Sequence, residues 1–453
     1  MKRLGLALVF GFIAGIGAAA DDFPLMIIRF RAPQTDGGPI WRETVEMLKK
    51  YKPSCDEVWF STGIGYPPMK WHEEQSARLA AAAKDMRALG IEPSLQFQAT
   101  MGHGDDISAL DNCSAKNWGG FTGADGRECK LCSCPRQPGF LAYMAEMGRI
   151  YGVWRPGSVW IDDDLRIDNH QPNMKPCCWC DRCVGDFAKE EGTPRTRATL
   201  SAACAKDPAL RAKWERFNFK SIAEVARVIT RAIHAVSPET RMGYQHCLRE
   251  DGSQLLVYKA MVEESGHKVR SRPGGGAYFD HSPYEQITKS HFLARQMKSL
   301  GMPDYIDQCC PEIETAPRSF TCRTGQGLAV ETLLHLAQGM NSVSYLIIDS
   351  HLETPAWYGD NLLARLAAEV GLFRDYVKWN EGTRPGGVTI ENQTPPVFFA
   401  TTGVPLCPGM AFPTATMLTV ESVRSLSDAK IRAILAGGVF LDGDFRFLFT
   451  GRV

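Results

Sequence analysis

The residues best equipped for chemistry are two sets of carboxylates. Asp162-Asp163-Asp164 closes the apolar run Val159-Trp160-Ile161, with Arg166 just beyond. Glu312 and Glu314 close a second stretch that begins at Tyr305. A short apolar run reads as a buried strand, so each set is expected at the C-terminal end of a strand, where a β/α barrel gathers its reactive groups. Two carboxyls facing each other across such a mouth suit cleavage of a glycosidic bond. One protonates the leaving oxygen, and the other attacks the anomeric carbon or activates water. Side chains alternate along a strand, so Asp162 and Asp164 are expected on one face with Asp163 opposed, and Glu312 and Glu314 on a common face. Asp164, the last acid out, is the candidate proton donor, with Asp163 the alternative. Either glutamate could supply the second carboxylate. The plainer reading is a solvated loop start whose acids pair with Arg166.

The elements that must position these groups alternate along the chain. Strands are expected near residues 25–31, 57–62, 94–98, 159–164, 241–246, 269–278, 305–314 and 343–349, with helices over 41–51, 73–89, 140–151, 214–236, 284–300 and 330–338. The alternation predicts parallel strands with crossover helices. The fold class is therefore α/β: a (β/α)8 TIM barrel over residues 21–381, a Gly- and Pro-rich linker over 382–396, and the start of a second α/β domain over 397–453. Residues 99–138 and 169–182 read as long irregular loops, which in a compact domain are usually functional. Arg31, His246, Tyr278, Asp349 and Trp357 fall at or just past strand ends and are candidate substrate contacts. Trp357 would offer a face on which a sugar stacks. His103, His281 and His351 lie in loops and receive no role.

Cys178-Trp179-Cys180-Asp181-Arg182-Cys183 places three of the fifteen cysteines at C-x-C-x-x-C spacing. Such thiols can turn toward one point, as tetrahedral zinc requires once a fourth ligand is found; in an exported chain they could instead form disulfides. Cys309 and Cys310 read as small buried apolar residues. Export is expected from Lys2-Arg3, the apolar run Leu4–Ile16 and Ala18-Ala19-Ala20, which resemble a signal peptide over residues 1–20. The 453-residue chain is formally neutral, 44% apolar and 23% charged. That argues against a nucleic-acid or anionic-membrane partner and is compatible with a neutral carbohydrate. Gly274-Gly275-Gly276 lacks the Lys-Ser/Thr of a phosphate loop, and no organic cofactor is expected.

The motifs resemble those of the β-galactosidase-type enzymes of glycoside hydrolase family 42 and neighbouring barrel glycosidases. Strand four of that family ends Ile-Asp-Asn-Glu, with the Glu as acid/base; here the residues are Ile161-Asp162-Asp163-Asp164. Strand seven places the nucleophile three residues before a proline, as in Glu314-Thr315-Ala316-Pro317. The resemblance implies a retaining β-glycosidase with Asp164 as acid/base and Glu314 as nucleophile; Asp163 and Glu312 are the alternatives. Asp164 is shorter than Glu by one C–C bond, ~1.5 Å of reach, and Asp163 replaces a neutral Asn. These departures leave a catalytically inactive glycan-binding barrel as the competing expectation, and a metal-dependent hydrolase built on the aspartates as a third. The resemblance also implies Cys134 as the fourth ligand beside Cys178, Cys180 and Cys183, forming a closed structural zinc site. It implies that residues 397–453 begin an amidotransferase-like domain of the kind that supports trimers.

Overall fold

The computed structural model describes residues 23–31, 35–98, 100–105, 113–168, 176–247, 253–299, 304–315, 322–349 and 353–380, with 388–390, 415–418, 424, 426–437 and 439–441 beyond them. The strands of the barrel follow one another in the expected order, among further elements that the sequence reading did not name. The first third holds β1 (Met26–Arg29), α1 (Pro39–Lys50), β2 (Glu57–Ser61), α2 (Met69–Ala88), β3 (Glu92–Phe97), β4 (Gly120–Thr122), β5 (Glu128–Ser133) and α3 (Pro138–Gly152). The middle holds β6 (Ser158–Ile161), α4 (Asp181–Glu191), α5 (Arg197–Lys206), α6 (Pro208–His234), β7 (Arg241–Cys247), α7 (Ser253–Ser265), β8 (Val269–Gly274) and α8 (Pro283–Ser299). Then come β9 (Ile306–Cys309), β10 (Glu312–Glu314), α9 (Gly325–Ala337), β11 (Val343–Leu346), α10 (Pro355–Tyr358) and α11 (Ala364–Asn380).

Nine of these strands form one parallel sheet in the order β10-β11-β1-β2-β3-β6-β7-β8-β9. Its two ends are the two halves of a single stretch, residues 306–314. Pro311 has no N–H to give a ladder, so the strand breaks there. The first half pairs with β8 and the second with β11. Between them Cys310 N donates to Ser271 O at 2.8 Å, and Pro311 O accepts from Ser344 N at 3.0 Å. One broken strand thus joins both edges and closes the (β/α)8 barrel. β6 and β9–β10 are its fourth and seventh strands, as the sequence predicts.

Strand alternation divides the apolar residues into two cores. Met26, Ile28, Val58, Phe60, Leu95, Phe97, Val159, Ile161, Val343 and Tyr345 face outward and join the helices in one large cluster. Ile27, Trp59, Trp160 and Cys310 form a separate cluster inside the barrel, where Trp59 and Trp160 stack with centroids 4.1 Å apart. Below them Glu57 accepts from both indole N–H groups, at 2.8 and 3.4 Å, and pairs with Arg270 at 3.3 Å. Above them lie the polar side chains of the site. The interior is layered and filled, as a small barrel requires.

The helices read from their sequences. α1 buries Trp41, Thr44, Met47 and Leu48 along one face behind Pro39 at its start. The longest, α6, opens with Asp207, whose side chain accepts from the Ala209 and Leu210 N–H groups. Within the loop expected over 99–138, β4 and β5 form an antiparallel hairpin. Its alternation Glu128-Cys129-Lys130-Leu131 was a legible strand signal. β12 (Val388–Ile390) lies inside the stretch expected to be linker and pairs in parallel with β13 (Ala415–Leu418), which pairs with β14 (Val439–Leu441). α12 (Asp428–Leu435) precedes β14. The expected leader, residues 1–20, falls outside the described residues. Among the described residues no helix is long and apolar enough to cross a membrane.

Candidate active site

β6 ends at Ile161, one residue before the acids. The chain then turns: Leu165 N donates to Asp162 O at 3.1 Å and Asp164 N to Asp162 Oδ1 at 3.2 Å. The alternation expected through Asp164 therefore stops too early to apply, and the three carboxylates converge, with oxygens within 4.8 Å of one another. Asp162 points down to Gln96, whose Nε2 donates to Oδ2 at 2.7 Å. Asp163 faces Arg272 across 3.7 Å and accepts from Cys247 Sγ at 2.8 Å. Asp164, only 4% exposed, has Arg166 Nη2 at 3.0 Å and His103 Nδ1 at 2.9 Å, both on Oδ1.

Three acids so close cannot share one protonation state. Burial, reinforced by Asp163 and Asp164, holds the Asp162 carboxyl well above the usual range. Burial pushes Asp163 upward too, but Arg272 and Arg166 outweigh it and hold the group below its ordinary value. The two arginines thereby supply positive charge among the aspartates from the protein itself.

On the opposite strand, Glu312 and Glu314 share a face, as alternation predicts. Arg29 Nη1 lies 2.7 Å from Glu312 and 3.8 Å from Glu314. Arg272 Nη1 lies 3.0 Å from the same Glu312 oxygen. Burial works against the Glu312 charge, yet Arg272 and Arg29 keep its pKa below the ordinary glutamate value. Glu314 is pushed up to about 8, by burial first and then by its neighbour Glu312. The strand is anchored from outside the barrel. Lys289 Nζ donates to Glu312 O at 2.5 Å and Arg323 Nε to Glu314 O at 3.4 Å. Both cations pair with the fully buried Glu331, at 2.9 and 2.8 Å.

Arg272 is the link between the two sets. One fully buried guanidinium touches Asp163 of the strand-four turn and Glu312 of strand seven, while Gln245 fixes its Nε and Nη2 at 3.1 and 2.8 Å. The two carboxylates that it joins are the alternatives of the sequence reading, Asp163 and Glu312.

The expected substrate contacts divide. Tyr278 lies in the field of both glutamates: burial raises its pKa, and Glu312 and Glu314 raise it further. Arg31 lies near Asp349 and Glu314, which raise its pKa against the larger lowering effect of burial. Trp357 sits in α10, half-buried, its ring edge-on to Tyr358 at 5.1 Å. His246 departs from expectation. It is wholly buried on the outer face of β7, with Nε2 3.3 Å from Ser271 Oγ and its ring beside Tyr258. It is displaced from the interior because Gln245, its neighbour in the alternation, takes the inward position. His351 and Pro317 lie outside the described residues.

Sequence reasoning missed Arg29, Gln96, His103, Cys247 and Arg272, and gave Arg166 only an ion-pairing role. For Arg29 and Arg272 a signal existed. Each is a charged residue inside a short strand, and such a residue is rarely buried unless it is paired.

The four expected thiols also converge. Sγ atoms of Cys134, Cys178, Cys180 and Cys183 lie within 4.8 Å of one another, with Cys134 3.4 Å from Cys183 and 3.5 Å from Cys180. Those distances exceed the ~2.05 Å of a disulfide and approach the ~3.8 Å between sulfurs on a tetrahedral zinc with ~2.3 Å bonds. The cluster could hold a metal ion. The loops are fixed around it: Trp179 N donates to Thr122 O of the hairpin at 2.7 Å, and Asn218 Oδ1 accepts from Cys178 N at 2.9 Å.

No protein-family model matches the chain, and no curated protein matches it in sequence. Solved structures do match in fold. A cold-adapted β-galactosidase from Rahnella sp. R3 aligns with TM-score 0.56 at 14% identity, over 92% of this chain and 70% of that one. A β-galactosidase from the psychrophilic Marinomonas ef1 aligns with TM-score 0.55 at 10% identity, over 92% and 75%. The GH42 β-galactosidase Gan42B aligns with TM-score 0.53 at 13% identity, over 92% and 71%. The fold is that of GH42 and related β-galactosidases, and at these identities the likeness extends to fold alone.

Proposed function

We propose that this protein is a glycoside hydrolase of the retaining β type, exported from the cell, which cleaves oligo- or polysaccharides with carboxylates from strands four and seven. The observation that carries the reading is the Arg272 bridge between Asp163 and Glu312, because it brings both carboxylate sets into one layer of a glycosidase-type barrel. Glu314 is the nucleophile of the proposal; it attacks in its ionised form, so its rise to about 8 predicts activity that climbs as pH approaches that value. It is the more exposed of the two glutamates, at 15% against 6% for the side chains, and Arg29 lies 3.8 Å from it against 2.7 Å from Glu312. Asp164 occupies the acid/base position. Arg31 and Tyr278 are the proposed substrate contacts. The cysteine cluster is proposed to carry a structural zinc, whose four thiolates would leave no open coordination position for chemistry.

The test is turnover of aryl β-glycosides by wild type and by Glu314→Gln. Activity reduced by at least ~10⁴ in the variant supports the assignment, whereas equal activity in both removes Glu314 from the mechanism. One observation favours a second reading. Asp164 Oδ1 is already engaged by Arg166 and His103, as it would be in a glycan-binding barrel that has lost catalysis. Glycan binding with no turnover of any aryl glycoside would establish that reading instead.

A further inference from the structure

His103 received no role from its sequence, yet its Nδ1 lies 2.9 Å from Oδ1 of the strand-four carboxylate Asp164. Asp164 is one carbon shorter than a glutamate in the same place would be. Its side chain is only 5% exposed, and Arg166 holds its Oδ1 from 3.0 Å. The His103 side chain is 28% exposed and sets Nδ1 2.9 Å from the same oxygen. The imidazole therefore extends outward from a buried carboxylate, an Asp–His pair in which the acid orients the base.

We propose that His103 is the proton-transferring residue of this site and that Asp164 is its positioning residue. The inference rests on the glycoside hydrolase reading above. The Asp164 carboxylate accepts a hydrogen bond from Nδ1–H and fixes the ring, so Nε2, across the ring from Asp164, carries the exchanged proton. In the first step Nε2–H gives its proton to the glycosidic oxygen as the C1–O bond breaks. The bond's electron pair leaves with that oxygen, and the Glu314 carboxylate forms a new bond to C1. In the second step neutral Nε2 takes a proton from water, the water oxygen bonds to C1, and Glu314 departs with its electron pair. The imidazole is cationic before the first step and after the second, so the cycle balances.

The charged groups around the ring favour this task. Burial pulls the His103 pKa down, the hydrogen bond and charge of Asp164 raise it, Arg166 lowers it and Asp163 raises it, for a net rise. A raised pKa favours the cationic ring, the form that acts as the acid.

The experiment compares wild type with His103→Gln on β-glycosides of graded leaving-group acidity. Loss of an acid is expected to spare a dinitrophenyl glycoside to within ~10-fold and to slow an alkyl glycoside by ~10²–10⁴, steepening the dependence of kcat/KM on leaving-group pKa. A uniform loss with the wild-type slope would overturn the proposal. Asp164→Asn provides a second measurement, in which His103 itself is not substituted. With the carboxylate gone, the alkaline limb of kcat/KM should move to lower pH while the leaving-group slope stays near wild type. If Asp164→Asn itself steepens the slope as a lost acid would, Asp164 is the acid and His103 is not. Turnover of no glycoside by wild type overturns this inference together with the functional reading. Turnover with an unaltered slope in His103→Gln overturns this inference alone.

Discussion

Glu314 shows how a buried carboxyl opposes the stability of the protein that holds it. Its carboxyl is pushed up to about 8, against about 4.3 in an unfolded chain. The folded state therefore binds this proton more tightly. The stability it contributes is full below about pH 4.3 and is lost as pH rises toward about 8. Glutamine resembles the protonated acid and cannot ionise. Glu314→Gln is accordingly expected to unfold at higher temperature than wild type, by the equivalent of ~1–3 kcal/mol near pH 8, with little difference near pH 4. Melting curves across that range test it, and a variant less stable than wild type at pH 8 would contradict the burial argument. The carboxylates themselves were legible in sequence because an apolar run ending in acids is unusual. Their partners were less so. Gln96 and Cys247 look ordinary in their strands, and only closure of the barrel gives them Asp162 and Asp163.

At the scale of elements, the strands were readable from short apolar runs, and the closing strand was readable in composition but not in role. Nothing local says that 306–314 pairs on one side before Pro311 and on the other after it. Strand ends were also illegible: the sequence carries strand four through Asp164, whereas the ladder stops at Ile161, and a turn then gathers all three aspartates. Packing inside the barrel sets a further demand at Gly243 on β7. A Cβ there would lie 2.4 Å from the Trp160 ring, which is stacked on Trp59 and cannot retreat. Gly243→Ala should cost ~1–3 kcal/mol through overpacking. Gly185→Ala, in α4 with nothing within 4 Å of its Cβ, should instead stabilise by ~0.5–1 kcal/mol. Denaturant titrations of the pair separate a steric effect from a general intolerance of alanine; equal shifts would refute the close-packing account.

For the whole molecule, the barrel joins residues remote in sequence, and the long loops need their own fastening. Cys134 follows the hairpin, whereas Cys178, Cys180 and Cys183 lead into α4, and their convergence ties two excursions of the chain together. With zinc there, chelation or Cys180→Ser should lower the melting temperature by ~10 °C or more, because binding free energy at such a site is folding free energy. Metal analysis of the purified protein should find one zinc per chain. Stability unchanged by chelation, in protein without zinc, would rule the site out.

By itself the sequence determined the order of the eight barrel strands, the barrel class, the two carboxylate stretches and the thiol spacing, because these are set by local periodicity and residue type. The tertiary structure decided which groups meet. It joined Asp163 to Glu312 through Arg272, put His103 on Asp164, turned His246 outward and raised Glu314 while lowering Glu312. Contacts across the barrel depend on register and closure, and a carboxyl's charge state depends on its burial and neighbours. Neither is encoded within the few residues around any one of these groups.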